Sequence, residues 1–388
     1  MALQTADADA GQGGAQLRYR RIVVKAGTNV LTRKTAHLDR SVMESLVDQI
    51  ADVVEMGAQV VLVTSGAIAA GHEAAPGVVQ GKSVAASQML AAIGQSRLMH
   101  AYQELFSRRG IVVAQTLLIA RDVDDRVGYL NVRNTLNGLL ERGVVPIVNE
   151  NDVVDTKEIN GQRFGDNDTL SAIVANVIDA DLLLMLTDTG GLFTADPNRD
   201  PSAELIPRVD RIDDGIMSLA EVHTSTATRG GMASKLLAAQ HATGIGVAVV
   251  FGLGGDPSIV REAACGQLNN GTFFPARGSV VESRKRWLLS GMTKKDAGLV
   301  VDDGAERALC EQSRSLLPAG IREVNGRFVR GDVVEVLSVS GSRLAYGIAN
   351  YDSSEMRKIA GERSDRIMEL LGHHNGDEAV HRNNMVVV

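Results

Sequence analysis

The chain has 388 residues, which is too long for one typical domain and predicts two. Hydrophobic residues make up 44% of it and charged residues 22%, as in a globular protein that buries a sizeable core. A net charge of −7 argues against general binding to DNA or membrane surfaces, and 3% aromatic residues leave few rings for base stacking.

Three features bear on the cellular compartment. The only cysteines, Cys265 and Cys310, give neither a disulfide framework nor a metal-ligand spacing. No apolar run reaches the roughly 18 residues that a membrane span needs. Residues 1–17 are rich in Ala, Gly, Asp and Gln, and they lack a basic start and an apolar core. We therefore expect a disordered leader rather than a signal peptide, and a cytoplasmic protein.

Strand-like and helix-like segments alternate between residues 21 and 252. Strands are predicted at residues 22–25, 59–64, 112–118, 144–149, 182–187 and 247–251, and helices at 39–56, 85–109, 130–142, 170–178 and 233–243. Three of these helices end at a glycine, namely Gly57, Gly110 and Gly143. This alternation predicts right-handed βαβ units, and so an α/β fold of three layers with a mostly parallel sheet between helices.

The composition changes near residue 273. A basic, apolar run at 283–288 contains the only tryptophan, Trp287, and predicts a linker over 276–293 between a first domain at 18–275 and a second at 294–372. Short alternating segments at 298–301, 320–324, 327–329, 333–338 and 343–349 predict a small β-rich domain of barrel type. A helix is predicted at 355–371, and residues 373–388 form a tail with no predicted place.

The first predicted strand ends in Lys25-Ala26-Gly27. A glycine there lets the backbone approach a ligand closely, and the lysine places a cation at the carboxyl edge of the sheet, where α/β proteins bind ligands. A solvated lysine at a strand end explains the same residues equally simply. The ligand-binding interpretation is favoured because further polar turns, most of them bearing glycine, follow later in the chain.

Three of these turns are rich in small, amide and acidic side chains. Ser65-Gly66 follows the second strand, and bare backbone amides with a hydroxyl can hold an anion there, although a tight helix–strand contact also needs small residues. Asn149-Glu150-Asn151-Asp152 follows the fourth strand, and Gly165-Asp166-Asn167-Asp168 opens a helix. Asn and Asp are also ordinary turn and capping residues, so each of these turns alone leaves both interpretations open.

The last two turns have features that are typical of phosphate-binding sites. Thr187-Asp188 ends a strand and is followed by Gly190-Gly191, and Arg229-Gly230-Gly231 enters a helix whose first turn carries Lys235. Helix N-termini attract phosphate, and a lysine adds a full charge. The sequence contains neither a Walker A motif nor a Rossmann glycine motif, so a nucleotide must be held in another way.

Together these motifs resemble the glutamate 5-kinases of the amino acid kinase family, over residues 19–291. The resemblance lies in six motifs that occur in the same order: Val-Val-Lys-x-Gly-Thr, Val-Thr-Ser-Gly-Ala-Ile, Asn-Glu-Asn-Asp, Gly-Asp-Asn-Asp, Leu-Thr-Asp-x-x-Gly-Leu-Phe-Thr-Ala-Asp-Pro and Gly-Gly-Met-x-x-Lys. The C-terminal part resembles a PUA domain through the residues 315–321 and 328–332. The resemblance implies transfer of a phosphoryl group from ATP, with Mg²⁺, to the γ-carboxylate of L-glutamate, the first step toward proline.

The resemblance also implies residue roles. Lys25 and Lys235 match phosphate-binding lysines, and Asp168 matches the aspartate that orients them. Glutamate-binding positions are matched by Ser65, Asp152 and Asn167, and ATP-binding positions by Lys25, Thr187, Asp188, Arg229, Gly230, Gly231, Met232, Ala233, Ser234 and Lys235. It further implies feedback inhibition by proline and a dimer or tetramer. Arg229, and a longer segment at 156–165 near the position of the proline response, depart from the usual pattern.

The chemistry of these residues agrees with the implied reaction. A carboxylate acceptor is already ionised at neutral pH, so no general base is needed, and the transfer needs positioning and charge neutralisation. His373, His374 and His381 stand in a polar tail, and we assign no protein metal site to them.

Two kinds of alternative remain at this point. Other kinases of the fold act on N-acetylglutamate, aspartate, carbamate, uridylate or isopentenyl phosphate. A PUA domain also suggests an RNA-binding protein, but residues 295–388 hold 12 Lys and Arg against 15 Asp and Glu, which makes a nucleic-acid partner unlikely by charge.

Overall fold

A computed structural model describes residues 16–79, 81, 83–123, 126–154, 167–222, 231–278 and 297–387. Most of the predicted leader and of the linker 276–293 lie outside these residues, as do Arg229, Gly230 and the segment 156–165. The described residues form two compact units, one from within residues 1–120 and 133–277 and the other from within residues 121–132 and 278–388.

The first unit is built on a mostly parallel sheet. Its strands are β1 (Arg21–Ala26), β2 (Gln59–Thr64), β3 (Val113–Leu118), β4 (Val145–Glu150), β5 (Leu182–Thr187), β6 (Ala248–Leu253) and β7 (Thr272–Phe274). They lie in the order β3-β4-β2-β1-β5-β6-β7, and only β7 runs antiparallel to its neighbour among these described strands. All six predicted strands are present, because apolar runs rich in β-branched residues favour buried parallel strands.

Helices cover both faces of this sheet. They are α1 (Thr28–Thr32), α2 (Arg40–Glu55), α3 (Ala67–Ala74), α4 (Val84–Arg108), α5 (Arg126–Glu141), α6 (Asn167–Val177), α7 (Asp214–Val222), α8 (Met232–Gly244) and α9 (Ile259–Cys265). On one side α2 packs against α4 and α9, and on the other α6 packs against α8. Along β1, Val23 and Val24 point to opposite faces and both are fully buried, as a covered sheet requires. The predicted three-layer fold class is confirmed.

Close packing between α3 and α4 depends on two glycines. A β-carbon added at Gly94 would lie 1.9 Å from the carbonyl oxygen of Ala67, and one added at Gly71 would lie 2.0 Å from that of Leu90. Helix α3 therefore lies directly against α4, with no side chain between the two backbones at these points. Because α3 begins immediately after Ser65-Gly66, this contact also positions the turn at the end of β2.

The second unit contains a smaller sheet. Its strands are β8 (Gly298–Val301), β9 (Ile321–Asn325), β10 (Val333–Ser338), β11 (Arg343–Ile348) and β12 (Met385–Val387), in the order β12-β11-β10-β8-β9, and its helices are α10 (Asp303–Cys310), α11 (Ser353–Ile359) and α12 (Ile367–Leu371). The segment 373–388, unplaced by the sequence, supplies β12. The described residues among 121–132 also belong to this unit, where Leu130 shares a buried apolar cluster with Tyr346 and Ile348.

Two predictions in this unit are wrong. Residues 327–329 do not form a strand, although Phe328 is buried in the core of the unit. The helix predicted over 355–371 is divided into α11, a 3₁₀ turn at Ser364–Arg366 and α12. Gly361 lies between α11 and this turn with a φ of 78°, a left-handed conformation that ends a helix.

Within the described part of the chain, every helix is too short or too polar to cross a bilayer.

Candidate active site

A cavity of about 630 Å³ opens at the carboxyl ends of the central strands of the first unit. Strand β1 lies between β2 and β5, so the turns that follow these three strands meet at one edge of the sheet. Residues that follow or end each strand, such as Gly27, Ser65 and Asp188, line the cavity. The turns after these three strands therefore meet at one cavity.

At the floor of the cavity, one buried carboxylate holds two lysines. Asp168 lies in the first turn of α6 and is fully buried. Its Oδ1 lies 2.5 Å from Nζ of Lys25, at the end of β1, and its Oδ2 lies 3.2 Å from Nζ of Lys235, in the first turn of α8. Ser234 Oγ donates a hydrogen bond of 2.7 Å to the same Oδ2. Three elements are thus joined at a single side chain.

The charges of this cluster explain the ionisation of Asp168. Burial is the largest influence on the pKa of this carboxyl and would raise it, but the ammonium groups of Lys25 and Lys235 outweigh burial and hold the pKa well below its usual value. The carboxyl is therefore ionised at neutral pH. Two ammonium groups and one carboxylate leave a net positive charge, and both lysines, but not Asp168, line the cavity. Such an arrangement attracts a phosphoryl group and presents two donors to it.

A chain of hydrogen bonds joins the turns after β2 and β4. Asn167 Nδ2 donates to Ser65 Oγ at 2.9 Å and to Asn149 Oδ1 at 3.3 Å, and Asn149 Nδ2 donates to Gln95 Oε1 at 2.8 Å. Asn149 lies one residue before the end of β4, while Gln95 lies on α4. This chain fixes the amide of Asn167 next to Asp168, so that Ser65 and Asn167 face the cavity as a polar wall.

The opposite wall is formed by the turn after β5. Thr187 Oγ1 accepts a hydrogen bond of 2.9 Å from the backbone N–H of Gly190, and this bond closes the turn behind Asp188. Gly191 is tightly enclosed, since a β-carbon there would lie 2.6 Å from Leu205 and 2.8 Å from Thr272 Oγ1. The glycines thus allow this loop to fold back close to the sheet, leaving Thr187 and Asp188 at the cavity.

Most of the predicted site residues line this cavity. They are Lys25, Ser65, Asp152, Asn167, Thr187, Asp188, Gly231, Met232 and Lys235. Asp168 and Ser234 do not line the cavity: Asp168 pairs with both lysines, and Ser234 donates a hydrogen bond to Asp168. Ala233 belongs to α8 and does not line the cavity either. Arg229 and Gly230 lie outside the described residues.

Three residues of the site carried no predicted role. Asn149 begins the polar run Asn149–Asp152 at the end of β4, where the sequence favoured Asp152 alone, so a signal for it existed. Gln95 lies on a long helix, and nothing in the sequence distinguishes it from other polar helix residues. Lys34 lines the cavity from the loop after α1 and was not singled out.

Two family models match the chain. The model of the Amino acid kinase family matches residues 20–251, and that of the PUA domain matches residues 298–371. The chain belongs to the amino acid kinase family. Its matched region contains the cavity and the Lys25–Asp168–Lys235 cluster, and the PUA match coincides with most of the second unit. Both parts of the predicted organisation, a kinase fold and a PUA domain, are confirmed.

Several curated amino acid kinases resemble this chain along nearly its whole length. The glutamate 5-kinase of Dehalococcoides mccartyi is 47% identical over 370 residues, covering 95% of this chain and 99% of that protein. That of Shewanella amazonensis is 48% identical over 370 residues, covering 95% and 96%. The resemblance to glutamate 5-kinases predicted from the motifs is confirmed. The solved structure of the UMP kinase of Bacillus anthracis aligns with 67% of this chain and 97% of that kinase. The identity is 16% and the TM-score is 0.43, a similarity too low to support an argument.

Proposed function

We propose that this amino acid kinase transfers the γ-phosphoryl group of ATP to the γ-carboxylate of L-glutamate, giving L-glutamyl 5-phosphate and ADP. The observation that carries the proposal is the pair of cavity-lining lysines held by one buried carboxylate. It is supported by a polar wall suited to an amino acid and by relatives that bear the name glutamate 5-kinase.

The cluster suits phosphoryl transfer to a carboxylate. An oxygen of the ionised acceptor forms a bond to the γ-phosphorus while the bond to the bridging oxygen of ADP breaks, so no proton has to be removed. Lys25 and Lys235 donate to the oxygens on which charge accumulates, and Asp168 keeps both ammonium groups in position. Each lysine is thus a catalytic residue, while Asp168 is a positioning residue.

The polar wall suits free glutamate. The carboxylate of Asp152, which lines the cavity, complements an α-ammonium group. The hydroxyl of Ser65 can donate to the α-carboxylate, and Asn167 holds this hydroxyl in place by donating to its oxygen at 2.9 Å. An N-acetylated substrate has no ammonium group to pair with Asp152. This contrast favours L-glutamate over N-acetylglutamate as the acceptor.

The nucleotide is proposed to bind on the other side of the lysines. Thr187, Asp188, Gly231, Met232 and Lys235 form that part of the cavity. We keep Arg229, Gly230, Ala233 and Ser234 as proposed contacts. Among the described residues, no three His, Cys, Asp or Glu side chains converge as a metal site. We propose that Mg²⁺ enters as Mg-ATP, because phosphate oxygens are ligands that this cation prefers.

Three further properties remain proposals. We propose inhibition by proline, a homodimer or homotetramer, and a cytoplasmic location, all by similarity to the glutamate 5-kinases. The predicted proline-responsive segment 156–165 lies outside the described residues.

The proposed reaction is tested by trapping its product. The protein is incubated with Mg-ATP, L-glutamate and hydroxylamine, which converts an acyl phosphate to a hydroxamate, and ADP is measured in parallel. Parallel reactions contain N-acetylglutamate or aspartate, and each is run with and without proline. We expect hydroxamate with glutamate alone and less of it with proline. Hydroxamate only from another acid would refute the substrate, and none from any acid would refute the reaction.

Replacement of Gln95 tests the hydrogen-bond chain that holds the proposed glutamate site. In Gln95→Leu, Asn149 Nδ2 loses its 2.8 Å acceptor, so the amides of Asn149 and Asn167 are no longer fixed. An unpaired buried amide costs about 1–3 kcal/mol, and we expect the KM for glutamate to rise about tenfold with the KM for ATP unchanged. Steady-state kinetics measure both constants.

The matched control for this variant is Gln95→Glu, which retains an acceptor oxygen at the same place. We expect it to restore a KM for glutamate within about threefold of the wild-type value. A parallel rise in both KM values, or no rise in either, would show that Gln95 does not position the glutamate site.

A further inference from the structure

The turn after α1 contains two neighbouring residues in an unusual backbone conformation. Arg33 and Lys34 have φ angles of 47° and 64°, and they are the only adjacent pair of non-glycine residues with positive φ in the described part of the chain. A β-carbon is strained in this left-handed region, whereas glycine adopts it freely. Non-glycine residues in such conformations often mark functional sites, which directs attention to the side chains of this turn.

The backbone of the turn does not itself require a lysine. It is held by main-chain hydrogen bonds, from Lys34 N to the oxygen of Asn29 at 3.2 Å and from Thr35 N to that of Thr32 at 2.9 Å. A glycine at position 34 can form the same bonds without strain. If lysine has a function at this position, that function must therefore belong to its side chain.

The side chain of Lys34 faces the cavity. Its Nζ lies 2.9 Å from Oδ2 of Asp188, the residue that follows β5 and lines the proposed nucleotide site. The side chains of this pair are 57% and 34% exposed, and such exposed ion pairs stabilise a fold little. The pair therefore does not offset the backbone strain, and a ligand is the better explanation for the lysine.

The charges at this position indicate the class of ligand. Asp188 alone would repel a polyphosphate, and the ammonium of Lys34 neutralises it. A nucleotide with several negative charges attracts that ammonium more strongly than one carboxylate does, and the flexible lysine stem lets it turn toward the phosphates. Asp188 then becomes available to accept hydrogen bonds from the nucleoside.

We propose that Lys34 binds the polyphosphate of the nucleotide. When the nucleotide enters, the ammonium group of Lys34 leaves Asp188 and contacts the phosphates instead. This inference rests on the proposed ATP site. It adds a third lysine to that site, separate from the Lys25–Asp168–Lys235 cluster. Because glycine suits position 34 better than lysine does, removal of the side chain should weaken nucleotide binding without weakening the fold.

The test compares Lys34→Gly with a matched variant, Arg33→Gly. Both remove a strained side chain, but Arg33 pairs with Asp39 at 3.1 Å and does not line the cavity. Binding of Mg-ATP, Mg-ADP and adenosine is measured by titration calorimetry, and Tm by thermal unfolding. For Lys34→Gly we expect about tenfold weaker binding of ATP and ADP, unchanged binding of adenosine, and a Tm equal to the wild-type value or about 2 °C higher.

The controls separate the possible outcomes. Arg33→Gly should keep wild-type ATP affinity, and Lys34→Arg, which keeps the charge, should bind ATP within about threefold of wild type. Unchanged ATP affinity in Lys34→Gly, or an equal loss for ATP and adenosine, would overturn the phosphate contact. If the wild-type protein binds no ATP, the proposed function fails and this inference fails with it, and that result is recognisable before any variant is made.

Discussion

Replacing Asp168 with asparagine is expected to lower kcat by about 10²–10³-fold and to cost about 3 kcal/mol of unfolding free energy. Asparagine keeps the shape of the side chain but not its charge. Lys25, only 3% exposed, then loses the carboxylate oxygen that lies 2.5 Å from its ammonium group, and Lys235 loses the one that lies 3.2 Å away. Turnover is measured by the hydroxamate assay, and stability by denaturant unfolding.

Acid titration gives this prediction a second measurement. Burial, the largest influence, would raise the pKa of Asp168, but Lys25 and Lys235 lower it to about 2, below the unfolded value of about 3.9. A carboxyl with a lowered folded pKa stabilises the fold above its unfolded pKa, and this contribution is lost as the pH falls toward the folded pKa. Wild-type stability should therefore fall between about pH 4 and pH 2, and Asp168→Asn should show a smaller fall.

Ser234→Ala is the matched control for Asp168→Asn. It removes the 2.7 Å hydrogen bond to Oδ2 and leaves all three charges in place. We expect a loss of about 1 kcal/mol and at most about tenfold in kcat. If Asp168→Asn were no more damaging than Ser234→Ala, the charge of Asp168 would not be what positions the lysines.

Sequence alone predicted the large elements of the fold because their signals are local. The strands around Val23 and Leu184 are continuous apolar runs, and the long helices end at glycines that do adopt positive φ, such as 98° at Gly57 and 67° at Gly110. The short elements α1, α7, α9 and β7 were missed, since three to nine residues carry too little periodicity. The error at 355–371 arose because Gly361 interrupts an otherwise helical pattern.

The site was predictable where it depends on turns and not where it depends on packing. Lys25 and Thr187 lie at the ends of strands and Ser65 directly follows one, and parallel strands bring such residues to one edge whatever their exact order. Gln95 became recognisable only once α4 was placed against β4, because its partner lies 54 positions along the chain. Lys34 became recognisable only from the backbone φ angles of its turn, which the sequence does not contain.

Replacing Lys235 with methionine is expected to lower kcat by about 10²–10³-fold and to leave the KM for glutamate within about threefold. Methionine keeps the length of the side chain, which is 13% exposed, so the fold should be retained. The loss should fall on kcat because the ammonium group binds the transferred phosphoryl group most strongly when charge builds up on it. The measurement is steady-state hydroxamate formation, and Lys235→Arg, which keeps a charge but not the geometry, should be intermediate.

The double variant of Lys235→Met and Asp168→Asn distinguishes a joint role from two separate ones. If Asp168 acts by holding Lys235, the loss in the double variant should be smaller than the product of the two single losses, because Asp168→Asn has already released the lysine. Multiplicative losses would mean that Asp168 acts independently of Lys235, through Lys25 or through the fold. Turnover within threefold of wild type in Lys235→Met alone would remove Lys235 from the catalytic residues and leave Lys25 as the donor that Asp168 positions.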